Sequence, residues 1–80
     1  MEAVVVRAYI LIEMVAGHAS RLVAAMKDNP AVKSIDRVTG PYDVIAVIEA
    51  ANINDISDIV AGDIHTKPGV TRTLTCVALG

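Results

Sequence analysis

Two β-branched runs flank one polar turn near the middle of this chain, and that arrangement constrains the fold more than any other feature. The runs are Ala31–Val38 and Val44–Ala50, and the turn is Thr39-Gly40-Pro41-Tyr42-Asp43. Runs of this kind joined by a Gly-Pro turn predict a β-hairpin. The turn is also the densest cluster of hydrogen-bonding groups in a largely apolar sequence. It is the first place to expect contact with a small molecule.

The rest of the chain alternates between strand-like and helix-like periods. From Val4 to Glu13, Val4, Val6, Ala8, Ile10 and Ile12 would share one face, and Val5, Arg7, Tyr9, Leu11 and Glu13 the other. Gly17 breaks this run. His18–Asp28 then carries Ala19, Leu22, Val23 and Met26 at helical spacing, and Asn29-Pro30 ends it. The strand Val32–Val38 sets Val32, Ser34, Asp36 and Val38 opposite Lys33, Ile35 and Arg37. Its charges suit a sheet edge, where they discourage stray pairing. In Val44–Ala50, Val44, Ala46 and Ile48 face one way and Ile45, Val47 and Glu49 the other. Asn52 reads as an N-cap with Asp55 three residues on, ahead of a stripe of Ile53, Ile56, Ile59 and Val60. Gly62 to Gly69 reads as a looser connection, and Val70–Leu79 as the last strand.

This order, β-α-β then β-α-β, predicts an α+β fold: a ferredoxin-like βαββαβ sandwich with a four-stranded antiparallel sheet and two helices on one face. Eighty residues, 1–80, allow one domain. A chain this short buries only about 60% of the surface its unfolded form exposes. Yet its hydrophobic fraction is 54%, carried by Val, Ile, Ala and Leu with no Trp or Phe. Two helices cannot cover both sheet faces. The second face, lined by Tyr9, Leu11 and Val47 or their alternates, is too apolar to stay wet. A homodimer packing sheet on sheet resolves this, giving a dimeric α+β barrel.

Charge and cysteine content exclude several classes. The net charge of −2, with no basic block, argues against direct nucleic-acid binding. The single cysteine, Cys76, cannot form an internal disulfide, and there is no Cys/His spacing for a zinc site. The apolar run Ala3–Ala16 follows an acidic residue and is interrupted by Arg7 and Glu13, so it reads as a strand rather than a signal or membrane segment. A reducing cytoplasm fits these features.

Three segments carry a family resemblance. Val38-Thr39-Gly40-Pro41-Tyr42-Asp43-Val44 is similar to a Val-Thr-Gly-x-(Tyr or Phe)-Asp-hydrophobic pattern. Gly69-Val70-Thr71-Arg72-Thr73-Leu74-Thr75 is similar to a Gly-Val-x-x-(Ser or Thr)-x-Thr pattern, and Ala31-Val32 matches a short hydrophobic stretch after the first helix. Together, and in this order, they resemble the effector-binding (RAM) domain of the Lrp/AsnC transcription regulators. Regulators of that family carry an N-terminal helix-turn-helix. Here Met1 stands directly before the first strand, so the chain looks like a stand-alone form.

The resemblance implies ligand-binding roles for Gly40, Tyr42, Asp43, Thr73 and Thr75. In the family, hydroxyl positions of the last strand approach the hairpin turn of a neighbouring subunit, and effectors sit between dimers. Each residue also has a plainer reading. Gly40 suits the turn itself. Asp43 either holds an α-ammonium group or accepts backbone N–H groups in its own turn. Tyr42 is a ligand wall or an interface residue. Thr73 and Thr75, which share a face with Thr71, also satisfy simple β-propensity. Thr71 matches no motif position. His18, at the start of the first helix, and His65, in a loop, are not expected to bind metal or act as bases. Cys76, on the Leu74 side of its strand, is expected to be a buried small hydrophobe. Arg7 and Arg72 are expected to pair with Glu13, Glu49 or Asp43.

The function expected is a non-catalytic module without metal or cofactor. The resemblance implies that it would assemble as a homodimer and then an octamer of four dimers, and would bind a small amino acid or related metabolite between dimers. It would regulate amino-acid metabolism, or act with full-length Lrp/AsnC regulators as partners. The alternative is a small dimeric α+β-barrel enzyme of monooxygenase or isomerase type. That reading needs an acid or base amid apolar walls, and the sequence offers no such constellation.

Overall fold

The computed structural model describes residues 5–80. Its elements run β1 (Val6–Met14), α1 (Ala19–Met26), β2 (Val32–Arg37), β3 (Val44–Ala50), α2 (Ile53–Ile59) and β4 (Val70–Val77). The strands form one antiparallel sheet in the order β2-β3-β1-β4. This is the split βαβ arrangement, with β2 and β4 at the edges, as the charges of β2 predicted.

One sheet face and the helices enclose the core. Ala8, Ile10 and Ile12 of β1 and Val44, Ala46 and Ile48 of β3 are fully buried there. Leu22 and Met26 of α1 and Ile56 of α2 close over them. The inward alternation expected for β1 and β3 is therefore the one observed; Val4, expected on the same face, lies outside the described residues. Each of the buried Ile, Leu, Met and Val side chains is worth about 1.5–3 kcal/mol of transfer free energy, so the core holds the helices more than their propensity does.

Two departures from simple periodicity shape the sheet. The first is in β2, where Val32 pairs with Ile48 but Ser34 pairs with Val47. Lys33 is the extra residue of this bulge. Strict alternation would put Val32 and Ile35 on opposite faces; the bulge lets both pack against the core. The second is in β4, where Glu13 pairs with Arg72 but Met14 pairs with Val70. Thr71 is the extra residue, and its hydroxyl donates to the Glu13 carbonyl at 2.9 Å.

The chain after α2 also differs from expectation. Instead of loosening at Gly62, it continues as a π-helical turn, Val60–Ile64, closed by the His65 N–H donating to the Val60 carbonyl at 2.9 Å. Ile56, Val60 and Ile64 all reach the core from this continuous segment. Asn29 Nδ2 donates to Asp63 Oδ2 at 3.1 Å and ties the turn to the end of α1. At the start of α2, Asn52 Oδ1 accepts the Asp55 N–H at 2.9 Å, the predicted cap.

Among the described residues, no helix covers the other sheet face. Tyr9, Leu11, Ile45, Val47, Leu74 and Cys76 line it. Tyr9 and Leu74 are each 40% exposed. Cys76 shares the Leu74 side as expected, but in the single chain it is exposed rather than buried, because nothing described covers that face. Charged residues frame the apolar centre. Arg7 pairs with Glu49 at 2.8 Å at one end, and the register partners Glu13 and Arg72 stand at the other. The hydrogen bond to Glu49, then a contact with Tyr9, pushes the already high pKa of Arg7 further up.

Candidate functional site

The hairpin turn is clamped to β1 by its last residue. The Val38 N–H donates to the Asp43 carbonyl at 2.9 Å and closes the turn. The Asp43 N–H donates to the Ile12 carbonyl at 2.9 Å, and Asp43 Oδ2 accepts the Met14 N–H at 2.7 Å. Asp43 thus does accept a backbone N–H, but from β1 rather than from its own turn. Its Oδ1 has no hydrogen-bond partner among the described residues. Thr39, Gly40 and Pro41 are exposed, whereas Tyr42 and Asp43 are half-buried. Gly40 has φ +115, a backbone conformation that a side chain disfavours, and a Cβ there would meet nothing within 4 Å. Turn geometry alone therefore accounts for glycine, and the space beside it is open.

Thr73 and Thr75 lie elsewhere. They pair with Ile12 and Ile10, on the helix-side face of β4. The helices lean on β2 and β3 and leave this edge strand largely uncovered, with Thr73 half-buried and Thr75 exposed. Thr73 is level with Asp43, since Ile12 contacts both, but β1 separates them by two strand spacings, roughly 10 Å. The structure therefore groups Gly40, Tyr42 and Asp43 at one place and Thr73 and Thr75 at another. Within one chain the two groups do not converge.

Sequence reasoning passed over one residue at this place. His65 Nε2 lies 2.7 Å from Thr73 Oγ1. The π-helical turn delivers it there, and nothing in the sequence period announced that turn. His18 behaves differently. It is the N-cap residue of α1 without a side-chain cap bond, it packs against Gly69, and its Nδ1 is buried with no hydrogen-bond partner among the described residues. An open cleft of about 500 Å³ lies at the opposite end of the sheet, between Arg7, Tyr9, Ile53, Val77 and Leu79. None of the five resemblance-derived residues lines it. Among the described residues, no three His, Cys, Asp or Glu side chains group to hold a metal ion, and no helix is long and apolar enough to cross a membrane.

The sequence profile described as the Lrp/AsnC ligand binding domain matches residues 7–80. The chain belongs to the Lrp/AsnC ligand-binding domain family. Solved structures agree. The protein TTHA0845 of Thermus thermophilus superposes with TM-score 0.88 at 31% identity, covering 94% of each chain. The hypothetical protein PHS023 of Pyrococcus horikoshii gives TM-score 0.85 at 28% identity, covering 92% of this chain and 89% of that one. AsnC of E. coli has the same fold, with TM-score 0.86 at 20% identity, but this chain spans only 51% of it. No curated protein matches the chain in sequence. The hairpin and the last strand are therefore elements of an Lrp/AsnC domain.

Proposed function

We propose that this Lrp/AsnC domain is a non-catalytic effector-binding module whose site forms only on assembly. Asp43 keeps one carboxylate oxygen without a partner among the described residues, while Thr73 and Thr75 present hydroxyls on an uncovered strand about 10 Å away. That separation carries the reading: groups that cannot meet in one chain can meet across two. Asp43 of one protomer takes the α-ammonium group of a small amino acid. Thr73 and Thr75 of a neighbour take its carboxylate, with Gly40 and Tyr42 shaping the wall. A transcriptional regulator of this fold from Neisseria meningitidis, NMB0573, was solved in complex with L-Met, at 21% identity and TM-score 0.81. It supports an amino acid as the ligand class.

Two contacts build the assembly. The helix-free sheet face, apolar at its centre and charged at its ends, packs against a second copy, in the pattern of a core with a polar rim. Further dimers then join, toward an octamer, through the hairpin and β4. The module works in the cytoplasm and tunes amino-acid metabolism, alone or mixed with full-length Lrp/AsnC regulators. Residues 1–80 act as one unit. Calorimetric titration against the twenty L-amino acids, with light scattering on the same samples, tests this. Binding of one or a few, with a change in mass, supports the reading. Absence of binding at millimolar concentration overturns it. Co-expression with a full-length paralogue tests the mixing: co-purification supports it, and strict self-assembly counts against it.

A further inference from the structure

His65 and Thr73 join the end of the π-helical turn to β4 through a single side-chain contact. His65 is exposed, follows the π-helical turn, and reaches across to an edge strand that the helices leave bare. Its Nε2 lies 2.7 Å from Thr73 Oγ1, a short distance for a nitrogen–oxygen hydrogen bond. Thr75 stands two residues along the same face, roughly 6.6 Å away in Cα spacing.

A threonine hydroxyl has one proton to give. If Thr73 donates to His65, no donor remains for a ligand carboxylate. If His65 donates through Nε2–H, the Thr73 O–H is free to point outward. Resting on the effector-binding reading, we propose that His65 donates into Thr73 and so sets the polarity of this patch, making His65, Thr73 and Thr75 a carboxylate-binding subsite. Two hydroxyls at this spacing can each give a hydrogen bond of about 2.7 Å to one of the two oxygens of a carboxylate. His65 is a positioning residue here: it acts through Thr73. The ligand class is a monocarboxylate, the α-carboxylate of an amino acid above all.

Two measurements at one fixed pH test this. The first needs no amino-acid effector. Sodium acetate is titrated to about 100 mM into the full chain, against sodium chloride of equal ionic strength, following the ring signals of both histidines by NMR. The His65 ring is expected to shift saturably while His18 stays still, and Thr73→Val is expected to abolish the shift. Equal behaviour of the two rings, or no shift at His65, overturns the subsite. The second compares the tightest-binding L-amino acid of the panel with its α-amide. His65→Ala is expected to lower the acid-over-amide affinity ratio at least fivefold, and His65→Gln, which keeps an N–H donor, to restore part of it. An unchanged ratio in His65→Ala overturns the positioning role. If no amino acid binds but acetate still moves His65, the effector reading fails and the carboxylate subsite stands.

Discussion

Gly69→Ala offers a sharp test of how the start of β4 is packed, because the fold supplies its own control. Gly69 and Gly17 share the same φ of +88. A Cβ at Gly17 would meet nothing within 4 Å. At Gly69 it would lie 2.5 Å from both Cβ and Cγ of His18 and 2.9 Å from its Nδ1. Gly17→Ala therefore measures backbone strain alone, about 1–2 kcal/mol, less the roughly 0.4–1 kcal/mol gained by restricting the unfolded chain. Gly69→Ala adds overpacking of about 1–3 kcal/mol, because part of what it meets is the fixed Cβ at the first turn of α1. The gap between the two variants should be about 1–3 kcal/mol, a large share of the roughly 4–12 kcal/mol expected for a chain of this length. Urea denaturation monitored by circular dichroism reads it directly. His18→Gly, rather than Ala, completes a double-mutant cycle, since alanine would keep the clashing Cβ. In the His18→Gly background the gap should close to within about 0.5 kcal/mol. Equal losses for Gly17→Ala and Gly69→Ala in the parent chain would refute the packing argument.

The remaining predictions follow from named contacts. Asp43→Ala should cost about 1–3 kcal/mol in denaturation, because it leaves the Met14 N–H unpaired at a half-buried site, and Asp43→Asn should cost less because it keeps an acceptor. Asn52→Ala should cost about 0.5–2 kcal/mol by the same assay through loss of the α2 cap. Ile10→Ala should cost about 2–5 kcal/mol, being fully buried at the centre of the sheet. Leu74→Asp should lower the mass seen by light scattering to that of one chain and speed reaction of Cys76 with a thiol reagent, since both residues share the face proposed to pair with a second copy.

Much of the fold was legible in the sequence because apolar periodicity encodes burial. The inward faces of β1 and β3 and the stripes of α1 and α2 follow from it, and the charges of β2 mark it as an edge strand. Ile53 is the exception within α2: it keeps the helical period but sits in the first turn beyond the sheet and is 55% exposed. What periodicity missed were places where one residue is added to the count. Lys33 and Thr71 are extra residues in strands, and the segment Val60–Ile64 widens a helix; none changes composition, so none is visible until partners are paired. The candidate site was legible only in pieces. The motifs pointed to the hairpin and the last strand, but their separation across β1 is a property of strand order. His65 was unreadable for the same reason: its meeting with Thr73 depends on the wide turn before it.

That wide turn gives the chain an unusual mode of divergence. A π-helical turn holds one more residue than an α-helical one. Deleting a single residue between Val60 and Ile64 would tighten it to an α-helical turn and shorten the link from α2 to β4 by one residue. Such a deletion would change no residue of the sheet, yet it would alter the segment that delivers His65 to Thr73. On the proposed role of His65, the residue count between α2 and β4 bears on recognition even where the motifs stay the same.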